Sequence, residues 1–232
     1  MFLNVTCSRF ALAALMMPTS ASADVLQQQT LAAAKQASAH DYAFREATRI
    51  QRTGAPDRTV VQDYDPRGGS SAWTLVKIDG RAPTAKERAR AAKNSGKARV
   101  ASYSRIAEWF GAPATRIATT PTSVTYRFAR LPKGAVKLGS HDASADTMAE
   151  AVVNTAGQIP FVERARFTST TAFRMMMVVK VERFTFSMVN RLFSDGRPVP
   201  ESIMTEFGGS FMGKAQTITT ETRYSDVQAV PR

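Results

Sequence analysis

Apolar residues recur along this chain at two different periods, and the change of period divides it. In residues 24–52, rich in Ala and Gln, Leu26, Ala33, Ala37 and Phe44 share one stripe at helical spacing, which predicts a first helix stopped by Thr53-Gly54-Ala55-Pro56. Residues 58–64, with Val60 and Val61 among polar neighbours, read as a strand, and Pro66-Arg67-Gly68-Gly69-Ser70 as the hairpin loop after it. Residues 73–78 form a second strand with Trp73, Leu75 and Lys77 on one face and Thr74, Val76 and Ile78 on the other, ended by the turn Asp79-Gly80. Thr84 with Glu87 three residues later makes a capping box, so a helix follows. Tyr103, Ile106, Ala107 and Phe110 recur at i, i+3, i+4 and i+7, which predicts a short amphipathic helix over 101–110 whose aromatics enter the core.

After Gly111 and Pro113 the period becomes two. Residues 123–131, 148–155, 161–171, 176–192, 203–207 and 216–226 read as strands rich in Val, Thr, Phe and Tyr. Turn signals separate them at Pro132-Lys133-Gly134, residues 157–160, Asp195-Gly196 and Gly208-Gly209, so an antiparallel meander is expected. Within 161–167, Phe161, Ala165 and Phe167 share a face with Glu163, and Val162 shares the other with Arg164 and Arg166, a half-solvated sheet. The class is α+β: a long curved antiparallel sheet, a half-open barrel, covered on one face by N-terminal and early helices.

The first residues bear on location. Arg9 is a positive n-region, residues 10–17 an apolar run, and Ala21-Ser22-Ala23 an A-x-A site before Asp24, the pattern of a secretory signal peptide over residues 1–23. Residues 24–232 are then expected as a single exported domain, soluble, in the periplasm of a Gram-negative bacterium. The apolar run is too short to span a bilayer, which takes about 20 residues. Cys7, the only cysteine, lies ahead of that run, where it cannot become a lipidated first residue. With no thiol beyond Cys7 and two histidines, no zinc site is expected, no calcium-loop spacing occurs, and no cofactor is implied.

Net charge is +12 and is concentrated: residues 81–99 hold seven basic residues against one acid, Glu87, a net of +6. On the capped helix Lys86, Arg90, Lys93 and Lys97 fall in one stripe, while Ala85, Ala89 and Ala92 fall in another. A solvated helix packing through alanine accounts for this, and so does a contact for an anionic headgroup or an acidic protein. Nucleic acid is excluded, since neither stacking aromatics nor a reading motif accompanies the charge.

Catalytic motifs are fragmentary. Residues 208–214 spell G-x-x-x-x-G-K, but Ala215 replaces the magnesium-binding hydroxyl and 217–224 alternates like a strand, so a glycine-containing hairpin is the better account. Ser140-His141-Asp142 are neighbours in sequence, which cannot align a triad. His40-Asp41 could supply a second partner. Glu163 and Glu182 lie on predicted strands and could pair as acid and base, or else form ion pairs with Arg164, Arg166, Lys180 or Arg183. The reading therefore leans away from an enzyme, with a hydrolase using an unrecognised carboxylate site kept as a third alternative.

Seven of the ten methionines, Met148, Met175, Met176, Met177, Met188, Met204 and Met212, fall in the strand-rich half beside many phenylalanines. Such residues fill cores, and they also suit a surface that accepts varied apolar ligands. A leader, an N-terminal helix, the strand Trp73-Thr74-Leu75-Val76-Lys77-Ile78 closing on Asp79-Gly80, helices after that turn and a long antiparallel run together resemble the periplasmic lipoprotein-carrier-like, Lol-type, families. The resemblance implies a half-open barrel that binds acyl chains without catalysis. The function expected is an exported binding protein for a lipid, lipoprotein or other amphiphile. Phe161, Phe167, Met177, Phe184, Phe186 and Met188 would hold the chain, and Lys86, Arg90, Lys93 and Lys97 would meet an anionic head or a membrane surface. The alternative is an envelope interaction module docking an anionic polymer or a protein partner through the basic helix.

Overall fold

The computed structural model describes residues 24–38, 40–95, 100–139, 141–175 and 179–231. The expected leader lies outside them. Helix α1 (Val25–Gln36) is capped by Asp24, whose carboxylate accepts from Leu26 N at 3.0 Å. The same carboxylate pairs with the Arg116 guanidinium and accepts the Tyr126 hydroxyl at 2.9 Å, tying α1 to the sheet. Arg116, foremost, holds Asp24 down at about 2, so the anchor is charged at any physiological pH.

The helix is shorter than expected. Ala37 is already extended, and Tyr42–Arg52 is strand β1 rather than a continuation of α1. Buried Tyr42 and Phe44 alternate with half-buried Ala43 and Arg45 there, and strands pair along both edges of β1, which satisfies its backbone without a helix. Thr53-Gly54 is accordingly a hairpin turn, with Gly54 at φ 73°, into β2 (Ala55–Tyr64). A 3-10 turn (Pro66–Ser71) leads to β3 (Trp73–Ile78), as the alternation of that segment predicts.

Helix α2 (Ala85–Ser95) carries the capping box: Thr84 N donates to Glu87 Oε2 at 2.7 Å and Glu87 N donates to Thr84 Oγ1 at 3.3 Å. It packs against β3 and the 66–71 turn. Ala85, Ala89 and Ala92 are exposed, so the small apolar stripe does not serve as the packing face, and only Glu87 and Ala91 are half-buried over 85–93. The segment predicted as a helix over 101–110 holds a 3-10 segment, Tyr103–Glu108, capped by Ser102.

The remaining strands are β4 (Thr115–Thr120), β5 (Ser123–Phe128), β6 (Lys137–Leu138), β7 (His141–Asp142), β8 (Thr147–Asn154), β9 (Phe161–Ser169), β10 (Phe173–Met175), β11 (Val179–Leu192), β12 (Pro198–Phe211) and β13 (Lys214–Ala229). Among the described residues eleven strands make one antiparallel sheet in the order β3-β2-β1-β13-β12-β11-β9-β8-β5-β4, with β10 beside β11, while β6 and β7 pair separately. Not all of it is a meander, because the first strand joins the last: Tyr42 stands opposite Ala229 and Arg52 opposite Ile218.

The apolar face of this α+β sheet is covered by residues 101–112. Trp109 meets Phe128 and Phe167 edge-on at 5.2 and 4.9 Å, Phe110 meets Tyr126 and Phe128, and Tyr103 accepts Val162 N at 2.7 Å. Helix α1 lies over this segment, its Gln27 amide donating to Phe110 O and Ala112 O at 2.7 and 2.8 Å. Each ring so buried contributes about 1.5–3 kcal/mol.

Two local expectations are corrected. In β9 a bulge leaves Glu163 unpaired, and Val162 consequently turns into the core with Ala165 and Phe167 instead of sharing a face with Arg164 and Arg166. Gly208 and Gly209 sit inside β12; the turn is Met212-Gly213, both at positive φ, a two-residue hairpin. Gly209 is required by close approach, since a Cβ there would stand 2.0 Å from Lys180 O on β11. Gly209→Ala must push the two strands apart and is expected to lower stability by about 1–3 kcal/mol. Thermal melts measure this, and a variant melting with the parent would show that the strands separate without cost.

Candidate functional site

Successive residues of β11 and β12 that point to the covered face stand directly beside one another: Phe184 opposite Phe207, Phe186 opposite Thr205, Met188 opposite Ile203. On the other side of β11, Phe167 of β9 stands opposite Phe186, with ring centroids 5.5 Å apart. Strand alternation thus lays a band of large apolar side chains across three strands, broken by Thr205. Residues 101–109 cross this band without filling it, and a cavity of about 410 Å³ remains between them. Trp109 forms part of its roof and Ala135 to Leu138 a side wall, while Arg105, Glu108 and Lys137 bring charge to its margin. A smaller cavity of about 100 Å³ adjoins it, and Ala101, Ser102, Pro200 and Tyr224 line both.

The polar groups at these margins differ in how well they are matched. Arg105 and Glu108 approach only to 3.6 Å, both substantially exposed, so the pair is weak. Lys137 makes no ion pair among the described residues. Tyr224 hydrogen-bonds Glu46, directly opposite on β1; burial foremost, then the nearby Glu46 charge, pushes the phenol far above its ordinary value. Burial also lifts Glu46 above its ordinary 4.5, against hydrogen bonds from Thr48 and Tyr224. At the mouth of the smaller cavity Arg197 pairs with Asp195 at 2.7 Å and with buried Asp41 at 3.4 Å, and its guanidinium stacks over Tyr42, whose hydroxyl donates to Asp195 at 2.9 Å.

No family model matches this chain, and no curated protein matches it. Among solved structures it is similar to a LolA superfamily protein from Nitrosomonas europaea, at 11% identity and a TM-score of 0.41 over 90% of this chain and 94% of that one. A likeness of that degree decides nothing about what the cavity holds.

Of the residues expected to hold an apolar chain, Phe167, Phe184, Phe186 and Met188 line the larger cavity together. Phe161 is buried at the far end of β9 opposite Asn154 and lines neither cavity, and Met177 lies outside the described residues. Lys86, Arg90 and Lys93 are exposed on α2 and none lines a cavity; Lys97 lies outside the described residues. The cations at the margin are instead Arg105 and Lys137, which sequence reasoning missed. Arg105 was hidden among polar positions of a predicted amphipathic helix that read as solvent-facing. Ile203 and Phe207 were legible as strand residues, but nothing local marked them as cavity wall.

The catalytic fragments are separated or otherwise engaged. Val189 stands opposite Arg164, which places Glu163 near Asn190 while Glu182 lies toward the other end of β11, roughly 25 Å away at about 3.3 Å per residue. Glu163 accepts from Asn154 at 3.2 Å and Glu182 pairs with Lys180 at 2.9 Å. His141 stacks on Phe173 with centroids 4.8 Å apart, and Asp142 accepts from Gly134 N and the Ser144 hydroxyl, holding its own loop. Ser140 lies outside the described residues. His40 meets the Tyr64 hydroxyl at 3.2 Å.

Because Glu46 is raised, the native state keeps a proton that the unfolded chain has released, so stability falls as pH rises through the window above 4.5 and the cost is complete above the native value. Glu46→Gln is therefore expected to melt above the parent at pH 7, with the difference closing as pH falls below about 4.5. Equal melting temperatures at neutral pH would show that Glu46 is not desolvated.

Proposed function

We propose that this protein is an exported, non-catalytic binding protein for an amphiphile, holding an acyl chain of a lipid or lipoprotein in the larger cavity. The observation that carries this reading is the apolar wall of Phe167, Phe184, Phe186, Met188, Ile203 and Phe207, facing Trp109 across about 410 Å³. That size and lining, with a few polar groups at one margin, are those of a small-molecule site. Arg105 and Lys137, the cations nearest the chain, would meet an anionic head. The Arg9 and Ala21-Ser22-Ala23 leader pattern supports export to a periplasm, and among the described residues no helix is long and apolar enough to cross a membrane.

A fluorescent fatty acid, dansyl-undecanoate, tests the reading directly. Uptake at micromolar concentration is expected, with a blue-shifted emission. Ile203→Trp, which fills the cavity, should reduce binding about tenfold or more, and Arg105→Gln with Lys137→Gln should weaken the free acid severalfold while sparing its methyl ester. No uptake by delipidated protein, or uptake indifferent to Ile203→Trp in a variant that melts normally, would overturn it.

A second reading rests on α2. Lys86, Arg90 and Lys93 are exposed and make no ion pair among the described residues, an arrangement suited to docking an acidic protein or polymer. Charge reversal at these three positions abolishes capture of an envelope partner under that reading and leaves dansyl-undecanoate uptake unchanged.

A further inference from the structure

The sheet does not end evenly. β9 meets β11 only as far as Thr168 opposite Thr185, and β13 meets β1 only as far as Ile218 opposite Arg52. Beyond those points β11, β12 and β13 continue together, flanked by β10, as a finger whose tip at Met212-Gly213 stands roughly 10 Å past the β1–β2 turn at about 3.3 Å per residue. The tip is apolar: Phe211 is 51% exposed and Met212 70%. Met212 also holds φ 49°, a left-handed position where Asn, Asp or Gly would sit without strain. A large apolar side chain there costs the fold twice, through backbone strain and through exposure to water.

Charge surrounds this tip asymmetrically. Arg52, Arg174, Arg183 and Lys214 are exposed and make no ion pair among the described residues. Of the carboxylates toward the same end, Glu182 pairs with Lys180 at 2.9 Å and Asp57 with Arg49 at 2.6 Å, while Glu206, six residues back from Met212 on β12, makes no ion pair among the described residues. One face of the finger is apolar along its length, with Phe184 opposite Phe207, Val181 opposite Gly209 and Val179 opposite Phe211, a strip in line with the cavity wall that is buried at Val181 and exposed at Phe211.

We propose that the β12–β13 tip docks on a bilayer containing anionic phospholipid, with Phe211 and Met212 entering the headgroup and acyl boundary and Arg174, Arg183 and Lys214 meeting the lipid charges. Apolar side chains ringed by unpaired cations match that surface, where apolar burial and attraction to anionic lipid add. Docking in this way sets the outer end of the apolar strip, at Phe211, against the membrane. The proposal does not depend on what the cavity holds.

The test uses the whole protein in a Cys7→Ser background, where an introduced cysteine is the only thiol. An environment-sensitive NBD label is placed at Met212→Cys, or at Ser194→Cys in the β11–β12 turn at the opposite end of the sheet. Vesicles of phosphatidylcholine with phosphatidylglycerol are expected to brighten and blue-shift the label at 212 and leave 194 unchanged, with little response to phosphatidylcholine alone. In cosedimentation, Phe211→Ser with Met212→Ser should reduce vesicle binding about tenfold, and Arg174→Glu or Lys214→Glu about fivefold each. Both serines replace exposed side chains, and a parental melting curve confirms the fold. Absence of vesicle binding, equal responses at 212 and 194, or undiminished binding by the serine variant would overturn the proposal. So would a response at 212 that rises with protein concentration without vesicles, which would make a second copy of the chain the occupant.

Discussion

A sheet with one apolar face must have that face covered, and in this protein little chain does the covering. Helix α2 sits at the β3 edge and is exposed nearly all round. The task falls to residues 101–112, braced from behind by α1 through Gln27. Trp109 and Phe110 fill the region against β5 and β9, where their rings meet Phe128, Phe167 and Tyr126. Toward β11 and β12 the cover runs out before the wall does. The cavity is the space left by that shortfall, and its charged margin is the polar side of the same covering segment.

The pairing of β1 with β13 determines what stands at the other margin. It brings Glu46 against Tyr224 and joins Phe44, Tyr64, Trp73 and Tyr224 into one aromatic cluster, with centroid separations of 5.0 to 5.9 Å. The Tyr224 phenol, raised by burial foremost and then by the Glu46 charge, lines the cavity, while Glu46, itself raised by burial, stands behind it on β1. The sequence candidates for acid and base chemistry lie elsewhere, each engaged with its own neighbour.

Basic charge, the most visible property of the composition, is used in more than one place. The cluster on α2 is solvated and remote from the cavity, whereas Arg105 and Lys137 reach the cavity margin and Arg174, Arg183 and Lys214 surround the finger. Counting charge along the chain finds the first group because its members are neighbours in sequence. The other two are assembled from separate elements and leave no local run to detect.

What the amino-acid sequence determined by itself is what short-range physics encodes. The alternation of Trp73–Ile78, the Thr84 and Glu87 box and most of the period-two strands after 123 specify backbone conformation from near neighbours and are found as elements, whereas the aromatic spacing of 103–110 marked the core-facing residues but the segment is a 3-10 turn over Tyr103–Glu108 rather than the helix expected. The α+β class follows from their order. Tertiary structure decided the rest because it turns on partners distant in the chain. Residues 42–52, which share a weak helical stripe with alanines, became a strand once β2 and β13 could satisfy both edges of their backbone. A single unpaired residue, Glu163, reversed the face of Val162, since strand parity changes with every bulge. Which of the many phenylalanines would wall a cavity and which would be packed shut depended on how far residues 101–112 reach across the sheet, a length and position that no local pattern specifies.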